Sequence, residues 1–367
     1  MSVRLVAGRE LSAELVAAWR AIRGTDVQLA SPFFCPEFTS AVAFSKENVF
    51  VAVFEDDGVQ ALLPFETVGQ VARPVGCLIS DFQGLVTRPD YVADIRSAMQ
   101  AGRLSAFDFD HVSSGQPSFT PYARGWVLSP RIDLSQGYES YVCDRQRAGT
   151  RQIAQCDVAR RKLEREVGPL TFVARSSDAK ALGKILSWKS LQYRKTGKRD
   201  VLEIGWVRET IERIHAVDEP SGFGGCLSLL YAGDELIAGH FGMRTPTVWH
   251  YWFTAYNTRY AKYSPGLIML LEIAKSAARS GAEAVELGKG TSLYKQRLMN
   301  AHTLVGHGYI EVPSWFTLGR KLSRQVRSAA RKSAEPARQV VRRLQGLAED
   351  DSIELVHRRG KRAPFGL

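Results

Sequence analysis

The stretch from Tyr256 to Arg297 constrains the fold more than any other part of the chain. It holds a Ser264-Pro265-Gly266 turn, an apolar helix from Leu267 and a short apolar strand, Ala284–Leu287. Proline is favoured at the start of a helix, where its missing N–H would have no helical partner anyway. The free N–H groups of a helix start attract phosphate. The pattern therefore predicts a strand–turn–helix–strand unit whose turn holds a phosphate.

Two pieces of this second half have counterparts in the first half. A hairpin around Asp57-Gly58 parallels one around Gly233-Asp234, and a helix–Gly–strand piece at Gly102 parallels one at Gly281. Because order and spacing agree together, we predict a tandem duplication. The expected fold class is α/β (α+β), with two tandem domains of mixed sheets flanked by helices.

The predicted domains are 1–150, 151–315 and a basic tail, 316–367. The join near 150 falls at a charged helical segment, Gly149–Gly168. Only the second domain carries the Ser-Pro-Gly turn. We therefore predict that the second copy holds the donor site and that the first copy is degenerate and lies on the acceptor side.

The charge is concentrated in the tail. The whole chain of 367 residues has a net charge of +11, with 45% hydrophobic and 24% charged residues, which is typical of a soluble globular protein. From Phe316 onward there are 13 Lys and Arg against 5 Asp and Glu, so the tail accounts for +8 of the total. The body is therefore nearly neutral, and an anionic partner is expected mainly at the tail.

Five cysteines with no CxxC pair argue against a disulfide framework or a zinc site, and they favour a reducing compartment. The start of the sequence has no secretory apolar region, and no run reaches the roughly 18 apolar residues of a membrane span. We expect a cytoplasmic protein, or one peripheral on the inner face of the cytoplasmic membrane, that uses no metal.

The motif Arg259-x4-Ser-Pro-Gly-x3-Leu, followed by Glu286-Leu-Gly-Lys-Gly-x3-Tyr-Lys-x-Arg297, resembles the acetyltransferase domain of the GNAT superfamily. More narrowly, it is similar to the branch of cellulose or exopolysaccharide biosynthesis acyltransferases, whose fold is similar to that of the FemAB peptidoglycan aminoacyltransferases. The resemblance is strong over Thr171–Gly308, weaker over the first half and absent from the tail. It implies two tandem GNAT-like domains with a cleft between them.

The resemblance implies acetyl-CoA or another acyl-CoA as co-substrate. The usual pyrophosphate loop of the superfamily, Gln/Arg-x-x-Gly-x-Gly/Ala, is replaced here by the Ser-Pro-Gly turn. Acyl carrier protein and aminoacyl-tRNA therefore remain open as donors. The residues expected to hold the donor are Arg259, Lys262, Ser264, Gly266 and Leu267.

Acyl transfer from a thioester to an amine needs a base for the amine and an acid for the departing thiolate. Tyr294 follows the last predicted strand, where GNAT enzymes similarly place a tyrosine near the sulfur, and we expect it to be the general acid. Glu286 points away from its apolar neighbours on the strand and is a candidate base. His240, on an apolar strand, is a second candidate base, although a lone histidine there is more often a core residue.

The acceptor side is expected to use basic, aromatic and polar residues. Lys289, Lys295 and Arg297 could clamp phosphates of a nucleotide-linked or lipid-linked sugar. Polar and aromatic residues of one helix, and two residues of the first domain, could line the acceptor cleft: Trp188, Lys189, Gln192, Tyr193, Asp81 and Gln83.

The favoured function is N-acyl transfer, most simply N-acetyl transfer, to an amino sugar of a cell-surface exopolysaccharide, an adhesin or its lipid-linked precursor. One alternative is FemAB-like aminoacyl transfer to a peptidoglycan precursor. Another is a non-catalytic, membrane-associated scaffold or cyclic-dinucleotide receptor that uses the basic tail. That tail could instead be inert, bind anionic lipid, or bind a cyclic dinucleotide such as cyclic di-GMP through Arg342-Arg343 or Arg358-Arg359. No module for specific nucleic-acid binding is recognised.

Overall fold

The computed structural model describes residues 2–217 and 222–326. Its helices are α1 (Ala13–Arg23), α2 (Pro36–Ser45), α3 (Ile95–Ala101), α4 (Gly137–Arg147), α5 (Gln152–Glu166), α6 (Ala179–Lys195), α7 (Gly205–His215), α8 (Pro265–Arg279), α9 (Leu293–Leu298) and α10 (315–326). Its strands are β1 (Ser2–Ala7), β2 (Val49–Glu55), β3 (Val59–Val68), β4 (Val71–Pro74), β5 (Val86–Thr87), β6 (Ala106–Ser113), β7 (Ala123–Asp133), β8 (Leu170–Val173), β9 (Gly224–Ala232), β10 (Glu235–Arg244), β11 (Val248–Tyr256), β12 (Ala284–Glu286) and β13 (Ala301–Glu311).

The described strands form one mixed sheet in which each half of the chain builds the same pattern. The order is β1-β2-β3-β4-β6-β13-β7-β12-β11-β10-β9-β8, and β5 pairs with β3. From either edge, antiparallel strands lead to a parallel pair, β4 with β6 and β11 with β12. The parallel strands are joined through α3 in the first half and through α8 in the second, as a parallel connection requires a crossover. The predicted fold class is confirmed: the structure is a mixed sheet flanked by helices, and its two halves repeat one pattern.

The two halves exchange their last strands at the centre of the sheet. β13, from the second half, lies between β6 and β7, while β7, from the first half, pairs with β12. The sequence prediction missed both strands, because it took Ala284–Leu287 as the last clear strand. The division of the body at residue 150 stays a prediction, because the sheet runs without a break through both halves.

Two apolar cores cover the faces of the sheet. One joins both halves and contains Trp19, Phe38, Ile185 and Phe253. The Trp19 indole N–H donates to the Phe34 carbonyl oxygen at 2.9 Å, so its polar end is paired inside the core. The other core packs α4, α5 and α8 on the opposite face of the second half. Each fully buried large side chain contributes roughly 1.5–3 kcal/mol, so the cores fix the position of the strands that carry the site.

A bulge in β11 bends the centre of the second half. β11 has one residue more than β10 between the pairs Phe241–Phe253 and Met243–His250. Bulges re-aim side chains and often lie beside active sites. This bulge lies next to the histidines of the site described below.

The structure divides into two compact units, the second of which begins at Glu311. Within the described part of that unit, Arg324 forms a two-pronged ion pair with Glu311, at 2.7 and 2.6 Å, and Arg320 adds a third bond at 2.9 Å. The rest of the predicted tail, including Arg342-Arg343 and Arg358-Arg359, lies outside the described residues. No helix among the described residues is long and apolar enough to cross a membrane.

Candidate active site

The Ser-Pro-Gly turn has a strained backbone. After β11 and a 3₁₀ helix, Ser264 adopts a left-handed conformation, with φ 53° and ψ 49°. Its carbonyl oxygen accepts hydrogen bonds from the N–H groups of Leu267 and Ile268, at 2.9 and 3.3 Å. A left-handed residue other than glycine costs about 1–2 kcal/mol, and such strain is commonest at functional sites. The strain supports a functional turn at the start of α8.

The surface above Gly266 is open to a ligand. A side chain built at this glycine would first meet the Tyr256 ring, at 3.6 Å, so nothing in the protein crowds the position. The Tyr251 hydroxyl donates to the Gly266 carbonyl oxygen at 3.3 Å, and Leu267 packs against the second core. An open glycine on the first turn of a fifteen-residue helix suits the close approach of a phosphate.

The two cations predicted for this turn are already paired. Arg259 lies 3.7 Å from Glu235, and Lys262 lies 3.3 Å from Glu166. Both cations are largely exposed, with 77% and 62% of their side chains accessible. Exposed pairs are weak, so a phosphate could compete for these cations, but the turn carries less free positive charge than its sequence suggests.

Tyr294 is linked to the same turn through Tyr251. It is half-buried on α9, and burial raises the pKa of its phenol above 10.0. It also interacts electrostatically with Tyr251, whose hydroxyl contacts the Gly266 carbonyl. The structure therefore brings a protonated phenol to the turn, which is the state that a general acid needs.

His240 is buried and neutral. Its ring stacks on Tyr251, with ring centres 4.6 Å apart, and its Nε2 accepts a hydrogen bond from the Trp252 N–H at 3.1 Å. Burial and the nearby charge of His250 lower its pKa to about 3. The engaged lone pair and the low pKa both count against His240 as a base, and its ring packs on Tyr251.

The best-defined polar feature is a carboxylate–histidine trio formed by Asp81, His250 and Glu286. His250 Nε2 lies 3.0 Å from Asp81 Oδ2, and its Nδ1 lies 3.1 Å from Glu286 Oε2. The Ser31 hydroxyl donates to the same Glu286 oxygen at 2.7 Å. The imidazole is fully buried, whereas 28% of the Asp81 side chain and 10% of the Glu286 side chain remain exposed.

The electrostatics of the trio make His250 a cation. Burial by itself would lower its pKa, but the hydrogen bonds and charges of Asp81 and Glu286 outweigh burial and raise the pKa to about 9. Burial would likewise raise the pKa of Asp81, but its bond to His250 lowers it below 3.8. By formal charge, two carboxylates and one imidazolium leave the trio with one net negative charge.

Gly288 gives Asp81 the space that it needs. This glycine follows β12 with φ +71°, and a Cβ there would lie 2.5 Å from Asp81 Oδ2. Only glycine allows both the left-handed backbone and the close approach of the carboxylate. The Gly288 carbonyl also accepts a hydrogen bond from Lys295 Nζ at 2.9 Å.

A lysine–tyrosine cluster of Lys189, Tyr193 and Lys295 lies within electrostatic range of the trio. Burial, then repulsion by Lys198 and Lys295, lowers the pKa of Lys189 to about 8. Burial, then the charge of Asp81, raises the pKa of Tyr193 to about 12. Burial lowers the pKa of Lys295 although Asp81 attracts its charge. The predicted acceptor residues of α6, α9 and the first domain thus come together.

Other predicted site residues lie around this cluster in supporting contacts. Lys289 Nζ donates to the Asp110 carbonyl oxygen at 3.2 Å, and Arg297 donates to Gln152 at 3.0 Å. Gln192 accepts a hydrogen bond from Lys189 at 3.2 Å, and Trp188 packs against the first core. Gln83 is buried. Its amide donates to Ser80 and Asp110 and accepts a hydrogen bond from the His111 N–H, and these bonds hold the loop before β5.

Sequence reasoning missed His250, Tyr251 and Ser31. The signal for His250 was one ionisable residue within the aromatic run Val248-Trp249-His250-Tyr251-Trp252. Its hydrogen-bond partners are Asp81 and Glu286, which are 169 and 36 residues away in sequence. Among the described residues, no cluster of three or more His, Cys, Asp or Glu side chains could hold a metal ion.

The part of the chain that carries most of this site matches a family model. Residues 150–296 match the acetyltransferase (GNAT) domain. The match contains the turn, α8, His250, Glu286 and Tyr294. The chain therefore contains a GNAT-type acyltransferase domain. GNAT domains use acyl-CoA. No curated protein matches the chain.

Solved structures share the tandem fold across the body. The C-terminal domain of a protein described as a lysylphosphatidylglycerol synthetase, from Agrobacterium fabrum, has a TM-score of 0.53 at 13% identity, covering 84% of this chain and 95% of that one. FemX has a TM-score of 0.55 at 10% identity, covering 84% and 96%. A tandem GNAT protein from the clavulanic acid biosynthesis pathway has a TM-score of 0.50 at 13% identity, covering 85% and 99%. At these identities the likeness shows the fold alone.

Proposed function

We propose that this protein is an N-acyltransferase that moves an acyl group, most simply acetyl, from coenzyme A to the amine of an amino sugar in a cell-surface polysaccharide or its lipid-linked precursor. The observation that carries the proposal is the position of Tyr294 and Tyr251 at the donor turn, together with the trio beside the lysine–tyrosine cluster. This arrangement supplies a proton donor on one side and a negatively charged trio beside the acceptor cluster on the other.

Acyl-CoA would supply the activated thioester. The N–H group of Gly266, with Arg259 and Lys262, would hold its phosphates, and the strained Ser264 would fix the approach to α8. The open glycine supports this assignment. Tyr294 would give its proton to the sulfur as the C–S bond breaks.

The acceptor amine would bind against Asp81. The negative trio favours the positive charge that develops on nitrogen as the amine attacks the thioester carbonyl. Asp81 is the exposed end of the trio and is placed to accept a hydrogen bond from that amine. Because the pKa of Asp81 is lowered, the amine's proton would pass on to water. Tyr193 and the two lysines would contact the rest of the acceptor, and Lys189, with its pKa of about 8, stays mostly charged at neutral pH.

A mass-spectrometric screen tests the proposal. Acyl-CoA thioesters of several chain lengths are incubated with the full-length protein and a panel of free, phosphorylated and lipid-linked amino sugars. We expect an acylated sugar and stoichiometric free coenzyme A with at least one pair. Failure of every acyl-CoA to bind or react would overturn the proposal.

Donor binding should depend on the open glycine. Gly266→Trp is expected to weaken acyl-CoA binding at least about tenfold, because the indole fills the surface over the helix start. Gly205→Trp is the matched control: this glycine also opens a helix, α7, and also has no close neighbour. Isothermal titration calorimetry measures both. Equal affinities for the two variants would contradict the placement of the donor.

Aminoacyl transfer is the second candidate. The glutamates paired with Arg259 and Lys262 reduce the positive charge available to a CoA phosphate. In addition, one protein of similar fold is named for the synthesis of a lysyl-lipid. The nearly neutral body counts against a tRNA-sized basic surface. Transfer of a radiolabelled amino acid from charged tRNA, with no turnover of acyl-CoA, would favour this function. Turnover of an acyl carrier protein thioester instead would identify that donor.

We further propose that α10 attaches the protein to an anionic membrane face. Trp315, Leu318, Leu322 and Val326 form one stripe along this helix, and 89% of the Trp315 side chain is exposed. The following sequence is rich in Lys and Arg, which adds roughly 1 kcal/mol of attraction per basic residue near such a surface. A tryptophan on an apolar stripe suits the membrane interface.

Sedimentation with vesicles checks this location. Trp315→Ser is expected to reduce binding to vesicles containing phosphatidylglycerol severalfold, while neutral phosphatidylcholine vesicles bind neither protein. Val92→Ser, at an exposed apolar residue of the body, is the control. Unchanged binding of Trp315→Ser would contradict the membrane role.

The non-catalytic alternative, with the tail as a scaffold or a cyclic-dinucleotide receptor, remains a distinct hypothesis. It predicts that removing residues 316–367 abolishes function while Tyr294→Phe leaves function intact. The proposed acyltransferase predicts that Tyr294→Phe is the damaging change.

A further inference from the structure

A cleft of about 980 Å³ lies where the starts of β11 and β12 meet β7 and the segment between α1 and α2. Its wall includes Glu286 and Ser31, so it borders one end of the trio. Asp81, the lysine–tyrosine cluster and the donor turn do not line it. The trio therefore separates this space, which we call the arginine cleft, from the proposed reaction site.

Arg131 is the notable residue of the arginine cleft. It lies on β7 directly opposite Glu286 in the β7–β12 pairing. Side chains directly opposite each other start with Cβ atoms roughly 4.5–5.5 Å apart. Even so, among residues 2–217 and 222–326 its guanidinium has neither a hydrogen bond nor an ion pair, and its Nε is buried without a partner. A buried donor left unpaired is costly, so this guanidinium is set to receive an external acceptor.

A second arginine lines the same cleft. Arg23 donates one bond to the Ala30 carbonyl oxygen at 2.7 Å, but its Nε is also buried and unpaired within the described part of the chain. Planar guanidinium groups match phosphate and carboxylate oxygens. Two such groups in one cleft favour an anionic ligand.

The other residues that line the cleft limit the negative charge that a ligand can carry, and they indicate that the ligand has hydroxyl groups. Ser113, Ser114 and Thr247 contribute polar side chains. Asp26 and Asp133 also line the cleft, although each already accepts a backbone N–H of its own turn, at 2.8 and 2.9 Å. With Glu283 and Glu286, four carboxylates line the cleft beside two arginines. They disfavour a multiply charged ligand and can accept hydrogen bonds from hydroxyl groups.

We propose that the arginine cleft binds a sugar that carries a single anionic group, with that phosphate or carboxylate on Arg131 and the sugar hydroxyls on the surrounding polar residues. This site is separate from the donor turn and from the acceptor cluster. The inference does not depend on which acyl group the protein transfers.

Calorimetry on the full-length protein tests the site without any acyl donor. Glucuronate, glucose 6-phosphate and neutral glucose are titrated at constant ionic strength, so the carboxylate and phosphate arms are distinguished. At least one anionic sugar is expected to bind about tenfold or more tightly than glucose. Arg131→Gln is expected to weaken the binding of that sugar about 10- to 100-fold and to leave the binding of glucose unchanged.

Arg124→Gln is the matched control. Arg124 lies on the same strand but stacks on Tyr309, 4.9 Å from the ring centre, and does not line the cleft. The Arg124→Gln variant should bind the anionic sugar as tightly as the wild type does. Thermal unfolding without ligand should show Arg131→Gln at least as stable as the wild type, because its guanidinium has no protein partner to lose.

Three results would overturn the proposal. These are no binding of either anionic sugar at millimolar concentration, equal binding by the wild type and Arg131→Gln, or an equal loss in Arg124→Gln. A marked loss of stability in Arg131→Gln would also overturn it, because Arg131 would then have a structural partner.

Discussion

The Tyr294→Phe variant is expected to bind acyl-CoA like the wild type and to lose about 10²- to 10³-fold in kcat. Phenylalanine keeps the ring that packs on α9 but removes the proton proposed for the leaving sulfur. Because burial raises the pKa of Tyr294 above 10.0, the phenol is fully protonated at neutral pH. Steady-state kinetics and donor titration together measure the effect.

The pH profile separates a general acid from a packing role. In the wild type, loss of the Tyr294 proton should produce a fall in kcat above pH 10, and this fall should be absent in Tyr294→Phe. Tyr122→Phe, at a tyrosine of the first half that stacks under Arg96, serves as the control. A loss below threefold in Tyr294→Phe, or the same alkaline fall in both proteins, would remove Tyr294 as the acid.

The His250→Gln variant should lower the free energy of unfolding at pH 7 by about 3–5 kcal/mol and abolish most activity. Glutamine leaves the Asp81 and Glu286 carboxylates facing each other without the cation that holds them, which also disturbs the acceptor side. Urea unfolding followed by circular dichroism measures the stability. His307→Gln, an exposed histidine on β13, should behave like the wild type.

The stability difference should depend on pH in a defined direction. His250 has a folded pKa of about 9 against an ordinary value of 6.5, so the folded protein binds this proton more tightly. Its stabilisation is complete below about pH 6.5 and is lost as pH rises through about 9, a loss on the order of 3 kcal/mol. The gap between the wild type and His250→Gln should therefore shrink between pH 7 and pH 10. A gap that is constant with pH, or below about 1 kcal/mol throughout, would show that His250 is not the cation of the trio.

Much of the second half could be predicted because its signals are local. Pro265 at the first position of α8, the apolar spacing of that helix and Gly281 after its end act within a few residues of one another. The hairpin turns at Gly58 and Gly233 are equally local. Such signals gave both the repeat and the turn, and they also placed Glu286 on a strand and Tyr294 just beyond it.

The exchange of β7 and β13 could not be predicted in the same way. Arg131 pairs with Ala301 across 170 positions of chain, and nothing in either strand's own sequence names its partner. The exchange is also what puts Arg131 opposite Glu286 and so forms a wall of the arginine cleft. Strand pairing depends on which surfaces meet after collapse, which a pattern within one strand does not encode.

The sequence by itself determined the fold class, the repeat and the Ser-Pro-Gly turn, since backbone preference and apolar periodicity act over a few residues. Only the tertiary structure decided the chemistry of the site. It paired Arg259 and Lys262 with glutamates, engaged the lone pair of His240 and placed His250 between two carboxylates from distant segments. The physical reason is that a side chain's charge and proton affinity depend on its burial and its neighbours, and those neighbours are set by the folded chain as a whole.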